Sequence, residues 1–134
     1  MKYITYKENR VHGSLTFPVG GYYINRQHPR YKMILHWHEE VEIIRVIEGE
    51  LNISVDGRHY KATKGDIVFL SQGVLHSAIP TKCIYECLVF DLKYLYRNNT
   101  ECANQLRVFA TGEKKINLFL PSVNNDISSY VEII

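Results

Sequence analysis

Apolar and polar positions alternate in short runs through most of the first hundred or so residues. Turn signals separate these runs every eight to twelve residues or so, a spacing typical of antiparallel sandwiches and barrels. Asp56 and Gly57 stand between two alternating runs and predict a tight hairpin turn. The pattern predicts an all-β domain, with strands expected in VGGYYIN, YKMILHWH, VEIIRVIEG, ELNISV, RHYKAT, KGDIVFL and IYECLVFDL.

The C-terminal part of the chain has a different pattern. Residues 105–109 suggest a short helical turn, KINLFLP is expected to be a last extended segment, and no other helical period is recognised before Pro121. Beyond it, Asn and Asp residues that can cap a helix precede an apolar i, i+3, i+4, i+7 stripe. This stripe consists of Ile127, Tyr130, Val131 and Ile134. Because no stop signal follows it, we expect the chain to be a piece of a longer protein.

Length and charge limit the classes of protein that fit. The 134 residues suffice for one domain, and 16 Lys and Arg against 14 Asp and Glu give a net charge of +2 and a pI of about 8.4. The basic residues are scattered, unlike the basic stripe of a stand-alone nucleic-acid binder. No stretch is apolar enough for a membrane span or a signal peptide, so we expect a cytoplasmic protein without a membrane partner. The three cysteines are expected to be reduced core thiols.

One segment combines apolar strand character with several ionisable groups. His36 and His38 are two residues apart, so on a strand their side chains leave the same face, whereas Trp37 points away. Glu42 begins the next strand, and His76 follows a turn about forty residues later. Three imidazoles and a carboxylate suit a divalent metal such as Zn, Fe, Mn or Ni. The alternative is that these groups line a pocket as hydrogen-bonding side chains without any metal cofactor.

The same residues resemble the two cupin sequence motifs. The first is H-x-H, then E, then G, and the second is G, then P-x-G, then H. The chain matches them at His36, His38, Glu42 and Gly49, and at Gly65, Gly73 and His76. It departs from them at three positions, with Arg30 in place of glycine, Ser71 in place of proline and Pro80 in place of asparagine.

More narrowly, the run HWHEEVEIIRVIEGELNISVDGRHYKATKGDIVFLSQGVLHSA resembles the N-terminal cupin sensor domain of AraC-type transcriptional regulators. The resemblance implies an all-β cupin, a double-stranded β-helix or jelly-roll barrel, with a C-terminal α-helix. It divides the chain into a sensor domain over residues 1–122 and the start of a truncated linker or dimerisation helix over residues 123–134. It also implies that the first fifteen or so residues form an arm over the pocket mouth.

The function implied by this resemblance is ligand binding and dimerisation within a transcription regulator. A small-molecule effector, for which a sugar is one candidate, would bind in the barrel of a homodimer. DNA would be bound only through a C-terminal helix-turn-helix domain absent from this chain. The alternatives are a small metal-dependent cupin enzyme, such as a dioxygenase or a sugar-phosphate isomerase, and a storage or scaffold protein.

The candidate site is therefore a pocket inside the barrel. Its apolar walls are expected from the inward positions Leu51, Ile53 and Val55. The candidate metal ligands are His36, His38, Glu42 and His76. The candidate ligand-binding residues are these four together with Tyr22, Asn25 and Arg26 on the early strand. His12, His28 and His59 have no evident partner in the sequence and are expected to be surface or hydrogen-bonded histidines.

Overall fold

The structure, a computed structural model, describes residues 4–97, 99–110 and 116–122. A short 3-10 helix at Ile4–Tyr6 precedes the first strand. The strands are β1 Val19–Ile24, β2 Met33–His36, β3 Val41–Val55, β4 Arg58–Thr63, β5 Ile67–Leu70, β6 His76–Phe90 and β7 Leu118–Leu120, and the helices are α1 Leu92–Tyr96 and α2 Thr100–Ala110. The terminal helix expected within residues 123–134 lies outside the described residues.

Two long antiparallel strands, β3 and β6, form the spine of a seven-stranded sheet. They pair from Val41 opposite Phe90 to Val55 opposite His76. On one half of the spine β1 joins β6, β5 joins β3 and β7 joins β5, whereas on the other half β2 joins β6 and β4 joins β3. Glu42 on the first half contacts His76 on the second, so the two halves face each other. This is the predicted jelly-roll barrel of the cupin fold.

The spine bends where the two halves meet. The register between β3 and β6 shifts between Val46 and Glu50, and Gly49 has a positive φ of 79°. Lys82, on the strand opposite, also has a positive φ, of 44°. The expectation of separate strands on either side of Gly49 was therefore wrong, because the glycine makes a bulge within one continuous strand.

The hydrophobic core lies between the facing halves. Ile44, Leu51 and Tyr85 are fully buried in it, and the Tyr85 hydroxyl donates a hydrogen bond to the Tyr31 carbonyl at 2.8 Å. The hairpin between β3 and β4 turns at Asp56 and Gly57, both with positive φ, as the sequence predicted.

Two helices follow β6, and the expectation of no helix there beyond a short turn was wrong. The Asp91 carboxylate caps α1 by accepting a hydrogen bond from the Lys93 backbone N–H at 2.9 Å. Leu92 is buried with Val41 in a second apolar cluster, against which Leu106 of α2 packs. The helices are short and cover only this small cluster, so their apolar period is weak. No helix in the described ranges is long and apolar enough to cross a membrane.

The extended segment predicted in KINLFLP is confirmed as β7, and the turn before His76 binds to the residues leading into it. The Ser71 hydroxyl donates to the Ile116 carbonyl at 2.8 Å and accepts from the Ile116 N–H at 2.6 Å. The Ser71 N–H donates to Asn117 Oδ1 at 3.1 Å. Two residues further on, the Gly73 N–H donates to the His38 carbonyl at 2.7 Å. The turn thus joins the segment before β7 to the histidine cluster.

Candidate ligand-binding cavity and metal cluster

Four ionisable side chains converge inside the barrel, and they are the ones that the sequence singled out. One potential ligand atom from each of His36, His38, Glu42 and His76 lies within 4.8 Å of every other. Glu42 Oε2 is 3.0 Å from His38 Nε2 and 3.0 Å from His76 Nε2. For metal–ligand bonds of about 2.1 Å, adjacent ligand atoms of an octahedral site are also about 3.0 Å apart.

Backbone carbonyls fix the protonation of one nitrogen in each imidazole. The Nδ1–H groups of His36, His38 and His76 donate to the carbonyls of Ile34, Glu40 and Val74 at 2.7, 3.0 and 2.9 Å. Because a carbonyl only accepts, each Nδ1 carries the proton and each Nε2 is available as a ligand. A neutral imidazole of this tautomer would present its Nε2 lone pair to the Glu42 carboxylate. The two 3.0 Å contacts therefore need either a further proton or a metal ion at Nε2, and the donor set fits a divalent metal.

The electrostatics of the cluster keep Glu42 ionised. Burial alone would raise the pKa of the Glu42 carboxyl, but its hydrogen bonds with His38 and His76 hold that pKa well below the usual value. Burial also opposes the charged form of His38, yet the bond to Glu42 raises its pKa. His36 has a lowered pKa because it is buried and lies beside His76. The cluster therefore combines an ionised carboxylate with a neutral imidazole at His36.

Three members of the cluster, His36, His38 and Glu42, lie on the wall of a cavity of about 670 Å³. This volume is within the range of small-molecule pockets, which is about 300 to 1,000 Å³. The apolar part of its wall comes from β1, β2 and β6. The side chains involved are Ile24, Met33, Ile34, Leu35, Cys87 and Val89.

The N-terminal segment forms the remaining wall of this cavity. Residues 5–10 and His12 line it, as the predicted arm over the pocket would. His12 is buried, and its two ring nitrogens bind the Glu8 carboxylate and, at 2.6 Å, the Tyr22 hydroxyl. Glu8 Oε2 also lies 3.2 Å from the Arg30 guanidinium and 3.7 Å from His36 Nε2. The arm is thus bonded to the barrel beside the histidine cluster.

Glu8 is ionised within this network. Burial alone would raise the pKa of its carboxyl, but the hydrogen bond with His12 and the nearby His36 lower it. The phenol of Tyr22 stays protonated, because burial raises its pKa against the opposing charge of Arg10. Glu8 therefore contributes one negative charge to the cavity wall, and His12 and Arg30 already bind this charge.

The other candidate residues from the sequence do not all reach the cavity. Tyr22 lines it, but the lining set within the described ranges includes neither Asn25 nor Arg26. Asn25 Oδ1 instead accepts from the Gln27 N–H at 3.0 Å, and Arg26 is exposed. Trp37 is buried outside the cavity, with the Lys7 ammonium 5.3 Å from its ring, in agreement with its alternation from the histidines.

The expected apolar wall was wrong. Leu51, Ile53 and Val55 are buried, but they belong to the hydrophobic core and not to the cavity lining. They lie beyond the bulge at Gly49, on the half of β3 that pairs with β4. The period of the strand predicted that they point inward, but it could not distinguish the filled part of the barrel from its open part.

Sequence reasoning did not assign Glu8 or Arg10 to the cavity, and it expected His12 only to be a surface or hydrogen-bonded histidine. The only signal for them is their spacing of two, which places all three along one face of an extended segment. All three line the cavity.

Comparison with known proteins identifies relatives of this chain. A sequence profile described as the AraC-like ligand binding domain matches residues 18–95. An uncharacterized HTH-type transcriptional regulator of Bacillus subtilis (strain 168), YdeC, is 30% identical over 87 residues. The alignment covers 61% of this chain and 30% of that protein, so the chain spans less than a third of the relative's length.

Solved structures with similar folds include two cupins. An RmlC-like cupin from Shewanella frigidimarina NCIMB 400 is 22% identical with a TM-score of 0.46, covering 54% of this chain and 65% of that one. A Cupin 2 conserved barrel domain protein from Salinispora arenicola CNS-205 is 21% identical with a TM-score of 0.46, covering 66% and 76%.

Family membership follows from the extent of the profile match. The matched segment is more than half of the chain and runs from the start of β1 into α1. It includes all four members of the histidine and glutamate cluster. The chain therefore belongs to the family of AraC-like ligand-binding domains.

Proposed function

We propose that this chain is the effector-binding and dimerisation domain of an AraC-type transcription regulator. The observation that carries the proposal is a cavity of about 670 Å³ whose wall is shared between the barrel strands and the N-terminal arm. A ligand in this cavity contacts both parts, so it stabilises the arrangement in which both are in place. In this proposal the regulator is a cytoplasmic homodimer that senses a small molecule, for which a sugar is one candidate, and binds DNA through a helix-turn-helix domain outside this chain.

The proposed mechanism is a shift between conformations of the domain. A ligand changes their populations only by as much as its affinities for them differ. The arm supplies that difference, since Glu8 and His12 bond to Tyr22, Arg30 and the region of His36 from a separate segment of chain. A ligand that occupies the cavity adds contacts to both sides of these bonds. The consequence is a change in the surface that the domain presents to its partner subunit or to its DNA-binding half.

A divalent metal, Zn, Fe, Mn or Ni, is part of the proposal. The residues that would hold it are His36, His38, Glu42 and His76. When bound, it would act as a Lewis acid toward an oxygen of the ligand. The chain contributes the orientation of the imidazoles, fixed through their Nδ1–H bonds to backbone carbonyls, and the ionised carboxylate.

Glu42→Gln is expected to weaken ligand binding by at least about tenfold, since a hydrogen bond to a charged group contributes about 1.5–3 kcal/mol. The substitution keeps the size of the side chain but removes the charge that His38 and His76 bind. A thermal-shift screen of sugars and small acids, followed by calorimetry, measures the effect. Glu39→Gln is the matched control because Glu39 is exposed. Equal affinities in the two variants would contradict the assignment of the cluster to the ligand site.

Ile127→Asp is expected to weaken the dimer by at least about tenfold, because it places a charge on the apolar stripe predicted from the sequence. A helix of about ten residues is marginal alone and needs a surface to pack on. Sedimentation of wild type, Ile127→Asp and the control Ser128→Asp, which lies off the stripe, measures the effect. A stable monomer in the wild type would contradict the proposed dimer.

This chain by itself should show no salt-sensitive DNA binding, because it has no basic stripe. A gel shift with the promoter DNA next to the gene that encodes the protein measures this.

A metal-dependent cupin enzyme is the second candidate function. The observation that favours it is the convergence of three imidazoles and a carboxylate beside an open cavity. Turnover of a dioxygenase or sugar-phosphate isomerase substrate by the purified, metal-loaded protein would support the enzyme. Loss of that turnover in His38→Ala would assign it to the cluster.

A further inference from the structure

The ionisable groups around the cavity carry an excess of positive charge. Four cationic side chains line it, and two carboxylates do so. The cationic residues are Lys7, Arg10, Arg30 and Lys32, and the acidic ones are Glu8 and Glu42. A cavity with this balance attracts anions.

Both carboxylates already have partners inside the protein. Glu42 is bound by two histidines of the cluster at 3.0 Å each. Glu8 is bound by His12 and, at 3.2 Å, by Arg30. Lys7, in turn, lies 3.5 Å from the exposed Glu39. Of the four cationic residues that line the cavity, Arg10 and the exposed Lys32 form no ion pair with a carboxylate in the described part of the chain.

Arg10 is the better placed of these two cations. Its guanidinium lies over the ring of Tyr22, 4.2 Å from the centroid, and the residue is partly buried. Stacking occupies the face of the guanidinium and leaves the in-plane N–H groups free to donate to a planar acceptor. Arg10 lines the cavity, so these N–H groups are available to a ligand there.

We propose that the cavity binds a small organic acid as a monoanion and that its carboxylate pairs with the Arg10 guanidinium. The inference rests on the proposed function, and it names the chemical class of the effector. An arginine fork matches a carboxylate with two parallel hydrogen bonds, which gives both affinity and orientation. The apolar wall formed by Ile24, Met33 and Val89 accepts the body of the molecule.

The neighbouring carboxylate limits the charge of the ligand. Glu8 lines the same cavity and its carboxylate is bound by His12 and Arg30, so a second negative charge on the ligand would be repelled at close range. The Arg10 guanidinium with the Glu8 carboxylate nearby is therefore suited to a ligand with a single carboxylate and poorly suited to a phosphate dianion. A uronic acid would combine this anion with the sugar character considered from the sequence.

The experiment compares acids with their uncharged counterparts on the 134-residue chain. The probes are galacturonate against galactose, and a panel of aliphatic and aromatic monocarboxylates, each against its primary amide, with inorganic phosphate as the dianion. Thermal shift selects the binding pairs and calorimetry measures their affinities. The proteins are the wild type, Arg10→Gln, and the control Arg58→Gln, which removes an exposed arginine on β4 that does not line the cavity.

At least one acid is expected to bind about tenfold or more tightly than its neutral counterpart, as a charged hydrogen-bond pair implies. Arg10→Gln should remove this preference, so that the acid binds no more tightly than its neutral counterpart, whereas Arg58→Gln should keep the preference. Arg10→Lys, which keeps the charge but loses the fork, should give an intermediate value. Circular dichroism confirms that each variant is folded.

Several outcomes would overturn the inference. If neutral molecules bind as tightly as the acids, if phosphate binds better than any monocarboxylate, or if Arg10→Gln keeps the preference for acids, the anion site is refuted. In each of these cases the cavity still binds small molecules, so the proposed function survives. If neither acids nor neutral molecules bind, the inference and the proposed effector cavity fail together.

Discussion

Replacing His76 by alanine should lower the metal affinity of the protein by more than about a hundredfold. Mutation of a residue that only hydrogen-bonds to a metal ligand already lowers metal affinity by about 10- to 100-fold. His76 is proposed as a ligand itself, so its loss should have a larger effect. Its side chain is 1% exposed, its Nδ1–H is anchored on the Val74 carbonyl, and its Nε2 lies 3.0 Å from Glu42. His38→Ala should have a similar effect, because His38 makes the equivalent contact with Glu42.

Elemental analysis of protein purified without chelator, together with metal titration of the chelated protein, measures this effect. His59→Ala is the matched control, since His59 is an exposed residue of β4 outside the cluster. Full metal occupancy that survives both His38→Ala and His76→Ala would refute the assignment of ligands. Absence of metal from the wild type after titration would leave the four residues as hydrogen-bonding groups of the pocket.

Gly49→Ala should destabilise the fold by about 2–5 kcal/mol in the free energy of unfolding. Two costs add at this position. The backbone has a φ of 79°, which costs a residue with a Cβ about 1–2 kcal/mol. An added Cβ would also overlap the backbone carbonyl of Lys82 and lie 2.8 Å from Cys83 Cα, so the paired strands must separate at the bend. That displacement adds about 1–3 kcal/mol.

Gly57→Ala separates the two costs. Gly57 has a similar φ of 83°, but no heavy atom beyond its chain neighbours lies within 4 Å of the position that a Cβ would occupy. It should therefore lose only about 1–2 kcal/mol. Urea unfolding of both variants in the presence of a chelator gives the two free energies without a contribution from metal. Equal losses would show that the close approach at Gly49 relaxes without cost and does not define the bend.

The cluster was predictable because two of its members are neighbours on one strand and the others occupy motif positions. His36 and His38 share a face by their spacing, and Glu42 and His76 occupy motif positions that the barrel brings together. The turn at Asp56 and Gly57 was also predictable, since its positive φ values need these residue types. For the histidine pair and the turn a short-range rule, the alternation of a strand or the geometry of a turn, is sufficient, whereas Glu42 and His76 were assigned through the motif resemblance.

The remaining features depend on contacts between distant parts of the chain. Glu8 and His12 are polar residues in a segment with no clear period, and they acquire a role only through Tyr22, Arg30 and the cavity. The continuity of β3 through Gly49 was missed because a glycine that ends a strand and one that makes a bulge look the same in sequence. The difference lies in the pairing with β6, which a local pattern does not contain.

The serine at position 71 has an evolutionary consequence. A proline there, as the cupin motif has it, would supply neither the N–H that binds Asn117 nor the hydroxyl that binds both backbone groups of Ile116. At this position the chain thus has an attachment point for the segment before β7 in place of a rigid turn residue. Among homologous chains, residues 71 and 117 should then covary, so that this pair of positions marks which members of the family fasten their last described strand in this way.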